Sequence, residues 1–303
     1  MVEVNYSKPA IKIADQIAQL RRRGMIILPE DRAEHYLAQI SYYRLAGYWW
    51  TMQSSTTAHT FRPGSRFATV IQRYDFDREL RLIVLDMVER IEVAIRTHLI
   101  YYMSLAYGSH WFEERRYARN KRHFTNNLKQ IEEEVRRSRE PFISVHRKKY
   151  ANDPRNPPVW KSFEVISLGL LSKMYSNIKP RLPEKDTIAQ QLGLPNHTFL
   201  LSWLRNISVI RNTAAHHSRL FRKGFSQQPT LPTKLHNPWI DEASLPSANT
   251  VYATLCCMKY LLWTISPHNR FPQRLGELFV KYPDVLPGDI GMKVDWRKQP
   301  LWR

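Results

Sequence analysis

Between Phe67 and Tyr107 the side chains Leu80, Val84, Met87, Ile91, Ala94, Ile95, His98 and Tyr102 recur at spacings of three and four. That period belongs to an α-helix and not to a strand, and it predicts one long helix that anything else in the chain must be built around. Asp77 and Arg81, Asp86 and Arg90, and Glu92 and Arg96 stand as acid-first i,i+4 pairs along it, each worth only a few tenths of a kcal/mol. Asp86, Glu89, Arg90, Glu92 and Arg96 also interrupt its apolar content. No run in the chain approaches the ~20 apolar residues that a bilayer span needs, so no insertion into a membrane is expected. Gly108 is expected to close the helix.

The remaining periodicities are helical too. Ile13, Ile17 and Leu20 mark a first helix ending at Gly24, with Arg21, Arg22 and Arg23 where the helix dipole favours cations. Pro29-Glu30-Asp31 starts a second, which carries Ala33, Leu37, Ile40, Tyr43 and Leu45 and ends in Tyr48, Trp49 and Trp50. Residues 54–65 read as a polar loop. Residues 113–149 are dense in Arg, Lys and Glu, as in a solvated helix face or an RNA-contacting arm. The turn-rich residues 152–158 form the best internal break. Trp160, Phe163, Ile166, Leu170, Leu171, Met174 and Ile178 then predict one amphipathic helix ending at Pro180. A short helix before Gly193 and another starting at Asn196 follow. Residues 226–246 are Pro- and Gln-rich and irregular, and two more helices close the chain. No strand alternation or hairpin signal persists. The expected class is all-α, organised as an N-terminal helical region (1–66), a helical core (67–225) with the basic segment 113–158 inserted, and a C-terminal helical region (226–303).

A hydrophobic content of 43% provides for a real core, and the formal net charge of +19 favours a polyanion partner, meaning nucleic acid or an anionic membrane surface. Met1-Val2-Glu3-Val4-Asn5 lacks the basic-then-apolar pattern of a signal peptide. The two cysteines, Cys256 and Cys257, are neighbours and suit neither a disulfide framework nor a zinc site, so a cytoplasmic setting is expected. Phosphate-binding glycine loops of both common kinds, HExxH, GxSxG and zinc-ligand spacings are all missing from the sequence. No cofactor or metal is expected.

The chemistry-bearing stretch is Arg211-Asn212-Thr213-Ala214-Ala215-His216-His217, followed by Ser218-Arg219-Leu220. Arginine forks onto phosphate, and histidine gives or takes a proton near neutral pH. Cleaving RNA without metal requires the ribose 2′-OH to attack its own phosphate, with proton transfer assisted and charge on the phosphorane stabilised. His216 suits the first role and Arg211 the second. On an unbroken helix the two lie about 140° apart, so their convergence needs a helix end, a kink or a bent arginine. Asn212 and His216 are i,i+4 neighbours, so the Asn amide could fix the imidazole orientation, and Arg219, a turn beyond, could bind phosphate. As a bare pattern, Arg-x4-His also fits a helix-end cation pair with a satisfied histidine. Two further readings stand beside cleavage. One is a non-catalytic module whose Arg211, Arg219 and basic segment grip phosphates. The other is an interaction protein that docks through the aromatic corner at residues 42–50, which would otherwise be a packed core.

At these residues the chain resembles the Abi family of bacterial abortive-infection proteins, AbiD/AbiF-like, within the HEPN ribonuclease superfamily. The resemblance extends beyond Arg211-Asn212 and Ala215-His216-His217-Ser218-Arg219-Leu220. It takes in Ile40-Ser41-Tyr42-Tyr43-Arg44-Leu45-Ala46-Gly47-Tyr48-Trp49 and Tyr74-Asp75-Phe76-Asp77-Arg78-Glu79-Leu80-Arg81. It also takes in Val88-Glu89-Arg90-Ile91-Glu92-Val93-Ala94-Ile95-Arg96, Pro158-Val159-Trp160 with Glu164 and Gly169, and Gly291-Met292 to Asp295-Trp296. It implies a helical HEPN-type bundle with additional N- and C-terminal helices and metal-independent endoribonuclease activity. A homodimer whose two Arg…His motifs line one cleft is implied as well. The family motif carries over onto Arg211, Asn212 and His216, with His217 one step later. Glu89, Arg90, Glu92 and Arg96 are further candidates for lining the cleft, against an alternative of intrahelical pairing and solvent contact. The family's biology implies a toxin of phage defence, and AbiF-like members pair with a structured small RNA that acts as antitoxin.

Overall fold

The computed structural model describes residues 9–303, so the N-terminal pentapeptide considered above for a leader lies outside the described residues. The fold is all-α, as the periodicities predict. Twelve α-helices are found among the described residues, beside one two-stranded antiparallel sheet. By internal packing the chain forms two units. One takes in the described residues up to Leu80 with Gly276–Leu286; the other takes in Arg81–Leu275 with Pro287–Arg303.

The first unit holds α1 (Ile13–Arg22), α2 (Glu30–Ile40), α3 (Tyr42–Trp49), the strands β1 (Gln53–Ser55) and β2 (Thr60–Phe61), and the start of α4 (Phe67–Tyr107). The single helix expected from Pro29 to Trp50 is in fact two. Ser41 takes a positive φ of 76° and its hydroxyl accepts from the Arg44 N–H, which ends one helix and caps the next. A hairpin from Gln53 to Phe61 takes the place of most of the polar loop expected over 54–65. Strands of three and two residues are too short to show an alternation. The aromatic corner is mainly core. Tyr48 and Trp49 are buried, Tyr48 Oη donates to Asp77 Oδ2 at 2.7 Å, and Trp49 meets Tyr42 and Phe61 edge-on. Tyr43, 91% exposed, and the exposed Trp50 are its outward members.

In the second unit the rest of α4 is followed by α5 (Lys121–Arg137), α6 (Pro141–Lys149), α7 (Val159–Ser162), α8 (Leu168–Asn177), α9 (Pro183–Gln191), α10 (His197–Ala215), α11 (Val251–Ile265) and the start of α12 (Phe271–Lys281). The helix expected from Trp160 to Ile178 is broken. A 3₁₀ turn over Phe163–Val165 intervenes, and the Ser167 hydroxyl accepts from the Leu170 N–H to begin α8. Residues 226–246 are irregular, as expected, apart from one short turn.

α11 is the centre of this unit. Every residue from Val251 to Leu262 is buried, the pattern of a helix enclosed on all sides. Cys256 and Cys257 belong to it, and burial pushes both thiols well above their ordinary range. α10 packs on α8, α9 and α11, which fixes the helix that carries the Arg211 motif. Trp203 of α10 is fully buried, stacked on Trp239 at 5.7 Å and edge-on to Tyr260, with Nε1 donating to Thr230 O at 2.8 Å. The tail is keyed in by Gly291. Its φ is +85°, and a Cβ there would lie 2.5 Å from Thr250 Cβ, inside any allowed contact.

Candidate functional site

The Arg211 motif occupies the last turn of α10 and the turn that ends it. Ile210 and Ala214 face the core, and after the turn Leu220 and Phe221 are buried again. The chain between them is therefore pinned on both sides by apolar residues. Its hydrogen bonds are those of a Schellman C-cap: His217 N–H donates to Ala214 O at 3.0 Å and Ser218 N–H to Thr213 O at 2.9 Å. His216 is the C-cap residue, and His217 sits at the following position with φ 57°, where glycine is the usual choice. α10 ends only after this pair: His216 N–H still donates to Asn212 O at 3.0 Å, so within one chain Arg211 and His216 keep their separation of about 140° around the helix.

An L-residue in this left-handed region costs roughly 1–2 kcal/mol. His217→Gly is accordingly expected to stabilise the chain by about 1 kcal/mol, measured by urea unfolding. A loss of stability would mean that the imidazole's contacts outweigh the backbone strain.

Arg211 is half-buried, whereas Asn212, His216 and His217 are exposed. Arg211 Nη1 donates to Asn212 Oδ1 at 3.2 Å, so this amide oxygen is engaged by the arginine. Arg219 is half-buried two residues past the turn. Beyond it, Arg222 donates to Asp289 through both its backbone N–H and its Nε, which ties the segment to the 3₁₀ turn Pro287–Ile290. The motif presents two imidazoles and one guanidinium toward solvent at a helix end, a set able to exchange protons and to hold a phosphate.

The other predicted site residues lie on α4. Glu89 is exposed. Arg90 donates to Asp86 Oδ1 at 3.3 Å and to Ser266 Oγ at 3.2 Å, while Arg274 takes the other Asp86 oxygen at 2.6 Å. Arg96 is buried, and its Nη2 donates to Glu92 Oε1 at 2.7 Å and to Ile166 O at 3.1 Å. These bonds tie α4 to the loop before α8.

A second polar cluster carries no motif in the sequence. His123, Asn126, Asn127 and Gln130 of α5 line a cleft of about 300 Å³ together with Lys173 of α8 and Arg205 of α10. Its one sequence signal is Asn127, which stands on the line of Ile131 and Val135 where an aliphatic residue is expected. Among the described residues no group of three His, Cys, Asp or Glu side chains could hold a metal ion, and no helix is long and apolar enough to cross a membrane.

Comparison with known families supplies one match. The family model described as Abi-like protein matches residues 35–222, which takes in α2 from His35, the long helix, α10 and the whole Arg211–Leu220 stretch. Searches of curated proteins and of solved structures returned no match. The matched span covers more than half of the 303 residues and ends just past the motif at the close of α10; the chain belongs to the Abi-like protein family.

Proposed function

We propose that the protein is a metal-independent endoribonuclease of the HEPN type, AbiD/AbiF-like, that acts as a toxin in phage defence. The observation that carries this reading is the helix end itself. α10 carries Arg211 in its last turn and stops at His216, leaving both imidazoles exposed at a capped turn. Family membership supports the abortive-infection setting, and the net charge of +19 supports an RNA substrate.

In the proposed reaction the ribose 2′-oxygen attacks the adjacent phosphorus while its proton passes to a base. The P–O5′ bond then breaks as the leaving oxygen receives a proton, giving a 2′,3′-cyclic phosphate and a 5′-hydroxyl. His216 is the proton-transfer group, and Arg211 stabilises the charge that builds on the phosphorane oxygens. Asn212 positions the guanidinium through its Oδ1. His217 and Arg219 stand beside these groups and contact the phosphate backbone. Within one chain Arg211 is turned to Asn212, so its partner imidazole belongs to a second copy, and the working site is formed by a homodimer. A structured small RNA is the proposed restraint on the toxin.

Co-purified dimers that combine one Arg211→Ala copy with one His216→Ala copy test this arrangement. Each variant alone is expected to be inactive on RNA. The mixed dimer retains one intact Arg211–His216 pair and should cleave at about half the wild-type rate, with exchange of one side chain per site. An inactive mixed dimer beside an active wild type would place the whole site in one chain. An inactive wild type would overturn the nuclease.

A further inference from the structure

The cleft beside α5 has the makings of a ligand site. α5 places His123, Asn126, Asn127 and Gln130 at i, i+3, i+4 and i+7, on one helix face. Ser172, Lys173 and Ser176 of α8 and Arg205 of α10 complete its wall, and no carboxylate lines it. Lys173 Nζ donates to Gln130 Oε1 at 3.2 Å and Arg205 Nη2 to Ser176 Oγ at 2.6 Å, yet both cations are exposed and keep further donors for a ligand.

Asn127 is the telling residue. It is 4% exposed, and its Nδ2 has no hydrogen-bond partner. A buried amide N–H left unpaired loses its hydration without replacement, and Ile131 and Val135 show that the same line of α5 otherwise buries aliphatic side chains. An acceptor arriving in the cleft would satisfy that donor.

The chemistry narrows the ligand. Side-chain amides carry a donor and an acceptor in one plane, which matches the edge of a nucleobase, and unstacked bases of single strands expose such edges. Lysine and arginine beside them suit the phosphate. Position on the fold links the cleft to the proposed nuclease site. At 100° per residue Arg205, Asn212 and His216 fall within about 40° of one another around the α10 axis, and Arg205 lies about 10 Å along the axis from Asn212.

We propose that this cleft is a base-reading subsite for single-stranded RNA, in which Asn126, Asn127 and Gln130 read a base edge while Lys173 and Arg205 hold its phosphate. It deepens the nuclease reading and rests on it for the identity of the substrate. It gives the enzyme a sequence preference set one or more nucleotides away from the scissile bond.

The test uses fluorescein-labelled hexamers of rA, rC, rG and rU, titrated by anisotropy into the full chain carrying His216→Ala. One homopolymer is expected to bind about tenfold or more tightly than the weakest, the scale of one good amide–base pair. The variants Asn126→Ala, at an exposed position, and Gln130→Ala, at a half-buried one, should bring the four affinities together, while Arg205→Met should weaken all four alike. Asn127→Leu should remove the discrimination and raise the melting temperature. Equal binding of all four hexamers by the parent, or discrimination that survives both Asn126→Ala and Gln130→Ala, overturns the subsite. Cleavage by the wild-type chain is scored separately. Discrimination without cleavage leaves the subsite standing and removes the nuclease, and cleavage without discrimination does the reverse.

Discussion

His216→Ala is expected to slow RNA cleavage by about 10²–10⁴-fold, the range that a positioned proton-transfer group contributes. The melting temperature should not move. The imidazole is exposed, and what His216 supplies to the fold is its backbone, whose N–H donates to Asn212 O at 3.0 Å and survives truncation to alanine. Single-turnover cleavage together with thermal unfolding checks both halves. Unchanged cleavage would remove His216 from the chemistry, and a rate loss that follows a loss of stability would assign it to the cap. Arg211→Lys should also fail to restore full activity, because a lysine keeps the charge but lacks the planar fork.

Trp203→Ala is the second large effect, and it acts on the scaffold. Trp203 is fully buried on α10 between Trp239 and Tyr260, with its indole N–H on Thr230 O. Its removal leaves a cavity and an unpaired carbonyl, a loss of about 3–5 kcal/mol. A domain's total stability is about 5–15 kcal/mol, so much of it is spent in one substitution. Circular dichroism melts should show a fall of many degrees or no folded state at all. Trp203→Phe keeps most of the apolar contact and loses the hydrogen bond, and should fall between the two. A wild-type melt for Trp203→Ala would mean that residues 230–239 are not held to α10 by this stack.

The sequence makes the helices legible because burial imposes its period on them. Leu80 to Tyr102 and Leu200 to Ile210 report helices through spacing alone, and both are present. The end of α10 is legible for a different reason. Thr213 to His217 leave the apolar spacing of Leu200 to Ile210, and the chain ends the helix at His216; spacing does not show the pair converging, since His216 N–H still closes a helical bond to Asn212 O.

What spacing hides is decided by single polar groups. Ser41 and Ser167 each cap a helix from inside an apolar pattern that otherwise reads as continuous, because one hydroxyl competes for the N–H that the helix would use. Arg96 sits among charges at helical spacing like Arg90, yet only the fold reveals that the loop carbonyl of Ile166 draws it inward. Asn127 is one amide among many polar residues on α5 and gains meaning only once its burial is known. The composition likewise carries a charge but no map, and the polar cleft is assembled from three helices far apart in sequence.

Cleavage by 2′-OH attack is legible in the ends of the RNA products. Wild-type protein incubated with a defined RNA in EDTA should release fragments ending in 2′,3′-cyclic phosphate, with 5′-hydroxyls on their neighbours, as read by mass spectrometry. Fragments with 5′-phosphate ends, or cleavage abolished by EDTA, would contradict it.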